Sequence, residues 1–199
     1  MAQIVEIGIL LHKPLTYYDE LLTSKGAFNV FNCKTHDVYW TFHDLRGKSE
    51  KQIKDACIRY RHVTNLASDK PGPAVMQNYP MTDKRGVGEF FVPVNTLQEF
   101  DLMLQEQGYM RVFDTTKHDY HYATPQMRSH IQLQDIEGLG LVVYYDNPDY
   151  YNFAPETQRI ALIRELNGFG FNISESQMGI DKLRTFYHKE LCYSANQNA

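Results

Sequence analysis

Two arginines, Arg59 and Arg61, stand at alternate positions of a segment that is otherwise typical of a β-strand. Because successive strand side chains point to opposite faces, their guanidinium groups would share one face, with Ile58 and Tyr60 on the other. Guanidinium groups bind phosphate and carboxylate oxygens through paired hydrogen bonds. The spacing therefore leaves two interpretations open: an anion site, or a strand face that is simply solvated.

Residues 131–146 form the clearest structural signal in the chain. Ile131 and Leu133 alternate with polar residues before Gly138-Leu139-Gly140, and a second alternating run follows these glycines. Glycine reaches the positive φ angles that a sharp reversal needs, so the segment predicts a hairpin. Other predicted strands also carry ionisable groups on one face. Together they favour a sheet curled around a polar interior, where charged side chains meet a charged ligand.

An internal repeat is indicated by an ungapped shift of 82 residues, which superposes residues 5–39 on residues 87–121 with nine identities. Each copy reads strand, helix, strand, and Gly26 and Gly108 stand where a glycine commonly ends a helix. The pattern predicts a pseudo-two-fold architecture with a cavity between the halves. Coincidental similarity of two strand-helix-strand pieces is the alternative.

The remaining pattern predicts one domain over residues 1–193 and a disordered tail at 194–199. We interpret Lys70-Pro71-Gly72-Pro73 as a turn. We expect three further helices, at about residues 49–56, 156–166 and 181–191.

Composition excludes several classes of function. The net charge is −4, which gives no general attraction to nucleic acid or to an anionic membrane. No signal-peptide pattern and no apolar run approaching a membrane span are present. The three cysteines form no CxxC pair, so we expect reduced thiols and a cytoplasmic location. His118 and His121 would point to opposite strand faces, which argues against zinc, and no P-loop, Rossmann or serine-hydrolase motif occurs.

The motif DIEGLG at residues 135–140, followed by a hydrophobic strand, resembles the CYTH superfamily of triphosphate tunnel proteins, which includes class IV adenylyl cyclases and thiamine triphosphatases. Other segments resemble family motifs in the same order, over nearly the whole chain. They are Val5-Glu6-Ile7, Asp37-Val38-Tyr39-Trp40, Cys57-Ile58-Arg59-Tyr60-Arg61, Lys84-Arg85, and Lys117 ahead of Tyr120.

The resemblance implies an α+β fold: an antiparallel eight-stranded β-barrel tunnel with flanking helices. It also implies that inward basic residues bind a phosphorylated small molecule or inorganic polyphosphate, with no nucleic-acid or membrane partner. The phosphate-binding residues would be Arg59, Arg61, Arg85 and Lys117. Lys84-Arg85 could equally form a solvent-exposed turn.

The same resemblance implies inward carboxylates that hold Mg²⁺ or Mn²⁺ beside the phosphates. The matching candidates here are Glu6, Asp146 and Glu89. A register that is uncertain by one residue decides whether Glu89 faces inward. The repeat aligns Glu6 with Gly88 and therefore argues against Glu89. Gly8 and Tyr144 stand where the family carries further carboxylates. We therefore expect weak metal binding.

Two functions follow from this partial match. One is a binding protein with an eroded metal site and little or no catalysis. The alternative is an active metal-dependent phosphohydrolase or class IV-type adenylyl cyclase acting on a nucleotide or organic triphosphate. The missing carboxylates favour binding over turnover, and Leu10, in place of the family's lysine, removes a cation that would neutralise phosphate charge. Asp37 and Asp119 are related by the repeat, so we assign them to the fold, and we assign Asp135 and Glu137 to capping the hairpin turn.

Overall fold

A computed structural model of the 199-residue chain describes residues 5–42, 57–66, 70–71, 74–78, 89–92 and 97–174. The chain divides into two compact units. The first comprises residues 1–32 and 118–183, and the second comprises residues 33–117 and 184–199. The predicted helices at 49–56 and 181–191, the tail at 194–199, and Arg85 lie outside the described residues.

The described residues form strands and helices with the following bounds. The strands are β1 (Ile7–Leu10), β2 (Phe28–Thr41), β3 (Ile58–Asn65), β4 (Lys70–Pro71), β5 (Ala74–Asn78), β6 (Glu89–Val92), β7 (Met110–Ala123), β8 (Ile131–Ile136) and β9 (Gly140–Tyr145). The α-helices are α1 (Leu15–Ser24), α2 (Leu97–Glu106) and α3 (Pro155–Phe169). The last of these confirms the helix predicted near residues 156–166.

The strands pair in antiparallel fashion in β1–β9, β2–β3, β3–β4, β3–β5, β5–β6 and β8–β9. Hydrogen-bonded neighbours follow the order β1-β9-β8-β7 in the first unit and β7-β2-β3-β5-β6 in the second, where β4 also pairs with β3. Strands β2 and β7 contribute residues to both units. This pairing confirms the α+β class and the mainly antiparallel sheet. Closure into the predicted eight-stranded barrel is not observed among the described residues and stays a prediction.

The hairpin predicted around the glycine turn is present in the first unit. Leu133 of β8 pairs with Val143 of β9, and Ile136 pairs with Gly140 at the turn end. Gly138 and Gly140 have φ angles of 76° and 106°, which glycine adopts without the steric clash that a side chain would add. The sequence thus specifies both the turn and the alternation of the two strands.

The hydrophobic core of the first unit lies on one face of β1, β8 and β9, against α1 and α3. The residues on this face are the alternate apolar positions of each strand, and the helices contribute their buried leucines. Its most buried members include Ile7, Ile9, Leu22, Ile131, Leu133, Val143, Tyr145, Leu162 and Leu166. Burying one such side chain fully is worth about 1.5–3 kcal/mol.

The second unit has a smaller core, which is also built from alternate strand residues packed against a helix. Val38 and Trp40 of β2, Tyr60 of β3 and Leu104 of α2 are buried together. Tyr60 also donates a hydrogen bond of 3.2 Å to Asp101 of α2. Because the strands alternate, this packing directs the odd-numbered residues of β2 and β3 to the opposite face.

The elements of the two repeat copies correspond one to one. The bounds of β1, α1 and β2 recur 82 residues later as those of β6, α2 and β7. Gly26 and Gly108, which follow the two helices, have φ angles of 79° and 83°. Leu22 and Leu104 occupy the same helical position and are 0% and 3% exposed. This agreement supports the duplication as our interpretation, and superposing the backbones of residues 5–39 and 87–121 would test it.

Gly8 is covered by an aromatic ring from the neighbouring strand. It pairs with Tyr144 in the β1–β9 ladder. A Cβ atom added to Gly8 would lie 2.8 Å from Cε1 of Tyr144, closer than real Cβ atoms approach their neighbours. The two positions at which the family resemblance leads us to expect carboxylates are therefore packed against each other, and a change at one constrains the other.

We expect Gly8→Ala to lower the free energy of unfolding by about 1–3 kcal/mol, because the Tyr144 ring must move aside. In a Tyr144→Ala background the same change should be close to neutral, which a double-mutant cycle by chemical denaturation would measure. Gly168→Ala is the matched control. Gly168 lies within α3 with open space around its Cα, so alanine should stabilise the protein by about 0.5–1 kcal/mol.

Candidate anion-binding site

Three cationic side chains converge on one carboxylate in the second unit. Arg61 donates from Nε and Nη2 to the two oxygens of Asp37, at 2.6 and 2.8 Å. The ammonium nitrogen of Lys117 lies 2.8 Å from Oδ2 of Asp37, and Nη1 of Arg59 lies 3.8 Å from the same oxygen. We call these four residues the Asp37 cluster.

The register of the sheet explains this convergence. Asp37 of β2 pairs directly with Arg61 of β3, and Tyr39 of β2 pairs with Arg59. Paired residues lie on the same face of the sheet, so Asp37 shares its face with both arginines. Lys117 comes from β7, which neighbours β2 on its other side. Asp37 is 0% exposed, and the side chains of Arg59, Lys117 and Arg61 are 10%, 8% and 30% exposed. Arg61 is therefore the member of the cluster most open to solvent.

The electrostatics of the cluster favour an ionised carboxylate. Burial alone would raise the pKa of Asp37, but the charge of Lys117 opposes it. The hydrogen bonds and charge of Arg61, and then the charge of Arg59, add to this effect and hold that pKa well below its usual range. Burial lowers the pKa of Lys117, and the Asp37 charge works against that shift. The two arginines lower the pKa of Lys117 further.

The sequence-based site residues have different outcomes. Arg59 and Arg61 share a face, as predicted from their spacing, and Lys117, which the family resemblance indicated, lies with them. Their role in phosphate binding stays a prediction. The position of Asp37 in the cluster was not predicted, because we assigned this residue to the fold on the basis of the repeat. The alternation of β2 placed it on the face opposite Val38, and a correct pairing register with β3 would have revealed it.

Of the candidate metal ligands, Glu6 and Asp146 belong to the first unit, and Glu89 belongs to the second, as the Asp37 cluster does. Asp146, in the first unit, is buried and accepts hydrogen bonds from Ser129 Oγ at 2.9 Å and from the hydroxyl of Tyr151. Glu6 is exposed, and continuing the β1–β9 register by one step places it opposite Asp146. Glu89 begins β6, but its side chain is outside the described part.

No group of three or more histidine, cysteine, aspartate or glutamate side chains that could hold a metal ion occurs among the residues that the structure describes. Hard divalent cations usually take several carboxylate or carbonyl oxygens. Of the predicted ligands, Asp146 can contribute an oxygen, and its oxygens already accept hydrogen bonds from Ser129 and Tyr151. Metal binding by Glu6, Asp146 and Glu89 stays a prediction.

A second charged group in the same unit lies on the surface. Arg111 Nη2 lies 2.9 Å from Oδ2 of Asp114, and His36 Nε2 lies 3.0 Å from the same oxygen. Roughly half of the Arg111 and Asp114 side-chain surfaces is exposed. Water screens such pairs, which typically contribute about 0–1 kcal/mol. This surface group provides matched controls for changes in the Asp37 cluster.

Long apolar helices are also missing from the described ranges. Within residues 5–42 and 97–174, where α1, α2 and α3 lie, no helix has the length and hydropathy to cross a membrane.

Protein-family profiles and curated proteins give no match to this chain, whereas solved structures do. The protein PH1819 of Pyrococcus horikoshii OT3 is 14% identical, with a TM-score of 0.57, and the match covers 89% of this chain and 98% of that one. A proposed adenylate cyclase of Vibrio parahaemolyticus is 15% identical, with a TM-score of 0.51, over 89% of this chain and 93% of that one.

A third similar structure comes from Hippeastrum. It is a proposed adenylyl cyclase, HpAC1, described as having a dominant triphosphatase activity. It is 14% identical, with a TM-score of 0.53, and the match covers 85% of this chain and 91% of that one. The chain therefore has the fold of these proteins, a CYTH-like triphosphate tunnel fold, as the motifs predicted.

Proposed function

We propose that this protein binds a phosphorylated small molecule or inorganic polyphosphate through Arg59, Arg61 and Lys117. The observation that carries the proposal is the convergence of these three cations in the Asp37 cluster. Polyphosphates present several oxygens and several negative charges, which suit planar guanidinium groups and a compact ammonium group. Arg85, which the family resemblance adds to the set, is part of the same proposal.

The similar structures support this ligand class. Both the Vibrio parahaemolyticus and Hippeastrum proteins are described as proposed cyclases of adenine nucleotides, and the latter also as a triphosphatase. A triphosphate is common to those activities. The proposal includes closure of the sheet into an eight-stranded barrel and a cytoplasmic location, where the buried thiols of Cys33 and Cys57 would stay reduced.

We further propose that the metal half of the site is eroded, so that turnover is slight. Gly8 and Tyr144 stand at two positions where the family resemblance leads us to expect carboxylates, and they are packed against each other. Glu6, Asp146 and Glu89 would hold Mg²⁺ or Mn²⁺ weakly, with substrate phosphates completing the coordination.

An active metal-dependent triphosphatase or adenylyl cyclase is the second candidate. The description of the Hippeastrum protein favours it, as does the retention of Asp146 in this chain. The two candidates share the phosphate ligand and differ in turnover, so a rate measurement separates them.

Arg59→Ala and Arg61→Ala should each weaken the binding of tripolyphosphate. A hydrogen bond to a charged group contributes about 1.5–3 kcal/mol, which corresponds to roughly a 10- to 150-fold increase in Kd. Isothermal titration calorimetry at fixed, low ionic strength measures the change, because salt screens such contacts.

Arg111→Ala is the matched control for these titrations. It removes the same charge from the same unit, at an exposed position paired with Asp114. Its tripolyphosphate affinity should stay within about twofold of that of the unaltered protein, since surface charges contribute little. Unchanged affinity in both Arg59→Ala and Arg61→Ala would remove the proposed anion site.

A further inference from the structure

The carboxylate of Asp37 occupies the centre of the Asp37 cluster, between the two cations nearest to it. Its two oxygens accept from Nε and Nη2 of Arg61, and Oδ2 also meets the ammonium of Lys117. We infer that Asp37 is the positioning residue of this site: it fixes the plane of the Arg61 guanidinium group and holds Lys117 in its ammonium form. The inference deepens the proposed function, because both cations are assigned there to phosphate binding.

Orientation is the first part of this role. A guanidinium group has five N–H donors in a rigid fork, and two of those of Arg61 are directed at Asp37. This bidentate contact sets the plane of the whole group and therefore the direction of its remaining edge. Arg61 is also the most exposed of the three cations. An unanchored arginine would lose this direction to rotation about its long side chain.

Charge is the second part. Lys117 is buried beside two guanidinium groups, Arg59 and Arg61 of β3, and Asp37 of β2 is the anion at contact distance. Burial and both arginines lower the pKa of Lys117, and the charge and hydrogen bond of Asp37 raise it. Without Asp37, the buried ammonium group would face two like charges with no carboxylate to offset them, which favours release of its proton.

Asp119 provides a matched control for this charge effect. It lies two residues beyond Lys117 on the same face of β7 and is also buried. Burial lowers the pKa of His121, and the charge of Asp119 raises it. Asp119 therefore acts on the protonation of His121, whereas Asp37 acts on that of Lys117. Asp119→Asn removes a buried carboxylate from the neighbouring position while the contact between Asp37 and Lys117 is left in place.

The test is the protonation of the Lys117 side chain, followed by ¹³C and ¹⁵N NMR across a pH series, with Lys117→Arg used to assign the signal. In the unaltered protein the signal should be that of an ammonium group at pH 7. In Asp37→Asn it should titrate at a lower pH, whereas in Asp119→Asn it should follow the unaltered protein. A neutral amine at pH 7 in the unaltered protein, or the same titration in Asp37→Asn, would overturn the inference.

Tripolyphosphate binding gives a second readout. As the pH rises from 6 to 9, the tripolyphosphate affinity of Asp37→Asn should fall at least about tenfold relative to that of the unaltered protein. This is the effect of losing one charged contact. Arg in place of Lys117 stays charged in this range, so Asp37→Asn/Lys117→Arg should lose that pH dependence. Asp37→Glu, which keeps the charge, should retain the unaltered profile. If the loss of affinity relative to the unaltered protein still grows with pH in the double variant, another group is responsible, and the inference is overturned.

The two readouts separate this inference from the proposed function. Absence of tripolyphosphate binding by the unaltered protein would remove the proposed ligand, while NMR of Lys117, which needs no ligand, would still decide the role of Asp37. If Asp37→Asn does not fold, the state of Lys117 in the unaltered protein and in Asp37→Glu decides it.

Discussion

Replacing Asp37 by asparagine is expected to lower the free energy of unfolding by about 3–5 kcal/mol at pH 7, the usual effect of removing one partner from a buried ion pair. The physical reason is the burial of Lys117 and Arg59: without the carboxylate, Arg59 keeps a buried charge that is not neutralised, and Lys117 must either do the same or release its proton. Urea denaturation followed by circular dichroism at constant salt measures the change.

The pH dependence of this loss has a defined sign. The folded protein holds the pKa of Asp37 well below its ordinary value of about 3.9. The stabilisation is therefore fully present above pH 4 and declines as the pH falls below that value, because the unfolded chain then binds a proton that the folded chain does not. The difference between Asp37→Asn and the unaltered protein should therefore shrink as the pH falls below about 4.

Asp114→Asn is the control for this prediction. It makes the same chemical change in the same unit, but at a carboxylate that is about half exposed and paired with His36 and Arg111. Its effect should stay within about 1 kcal/mol. Equal effects of the two substitutions would contradict the account of Asp37 as the anion at the centre of a buried cluster.

Turnover of triphosphates by the purified protein is expected to fall well below the range of about 1–1,000 per second that is typical of enzymes. The reason is that Gly8 and Tyr144 stand at two positions where the family resemblance leads us to expect carboxylates for a divalent metal. The assay supplies Mg²⁺ or Mn²⁺ with ATP, thiamine triphosphate or tripolyphosphate, and follows phosphate, pyrophosphate and cyclic AMP. Turnover within the usual range that Glu6→Ala abolishes would establish the second candidate function.

Adding the missing carboxylates tests the same argument in the opposite direction. Gly8→Glu and Tyr144→Glu together should raise any residual activity above that of the unaltered protein. Gly8→Glu alone should not raise the activity, because the Cβ atom of the new side chain would clash with the Tyr144 ring. Tyr144→Glu alone supplies one carboxylate without the steric conflict and serves as the matched comparison. No gain in the double variant would indicate that the erosion of the metal site does not limit turnover.

Much of the local structure could be predicted from the residues themselves. Alternation and two glycines specify the β8–β9 hairpin, since each strand has one face that must be buried and the turn needs positive φ angles. The same reasoning places Arg59 and Arg61 on one face, opposite Tyr60. These features depend on short stretches of sequence, where period and turn chemistry are decisive.

The Asp37 cluster could not be predicted from local pattern alone. Its carboxylate and its lysine come from strands about 80 residues apart in the chain, and only the pairing register of β2 brings Asp37 opposite Arg61. Alternation gives the face of a side chain but not the strand beside it. Lys117 was indicated by family resemblance, and Asp37 was assigned to the fold because its repeat counterpart, Asp119, is also an aspartate.

The central claim is that the cations of the Asp37 cluster bind phosphate, and a crystal structure with tripolyphosphate and Mg²⁺ tests it most directly. We predict phosphate oxygens within about 2.7–3.2 Å of the nitrogens of Arg61, with Arg59 and Lys117 within reach of the same anion. The same crystals grown from Arg61→Ala should lack it at that position. A structure of the unaltered protein with tripolyphosphate bound elsewhere, or with none bound at saturating concentration, would contradict the account.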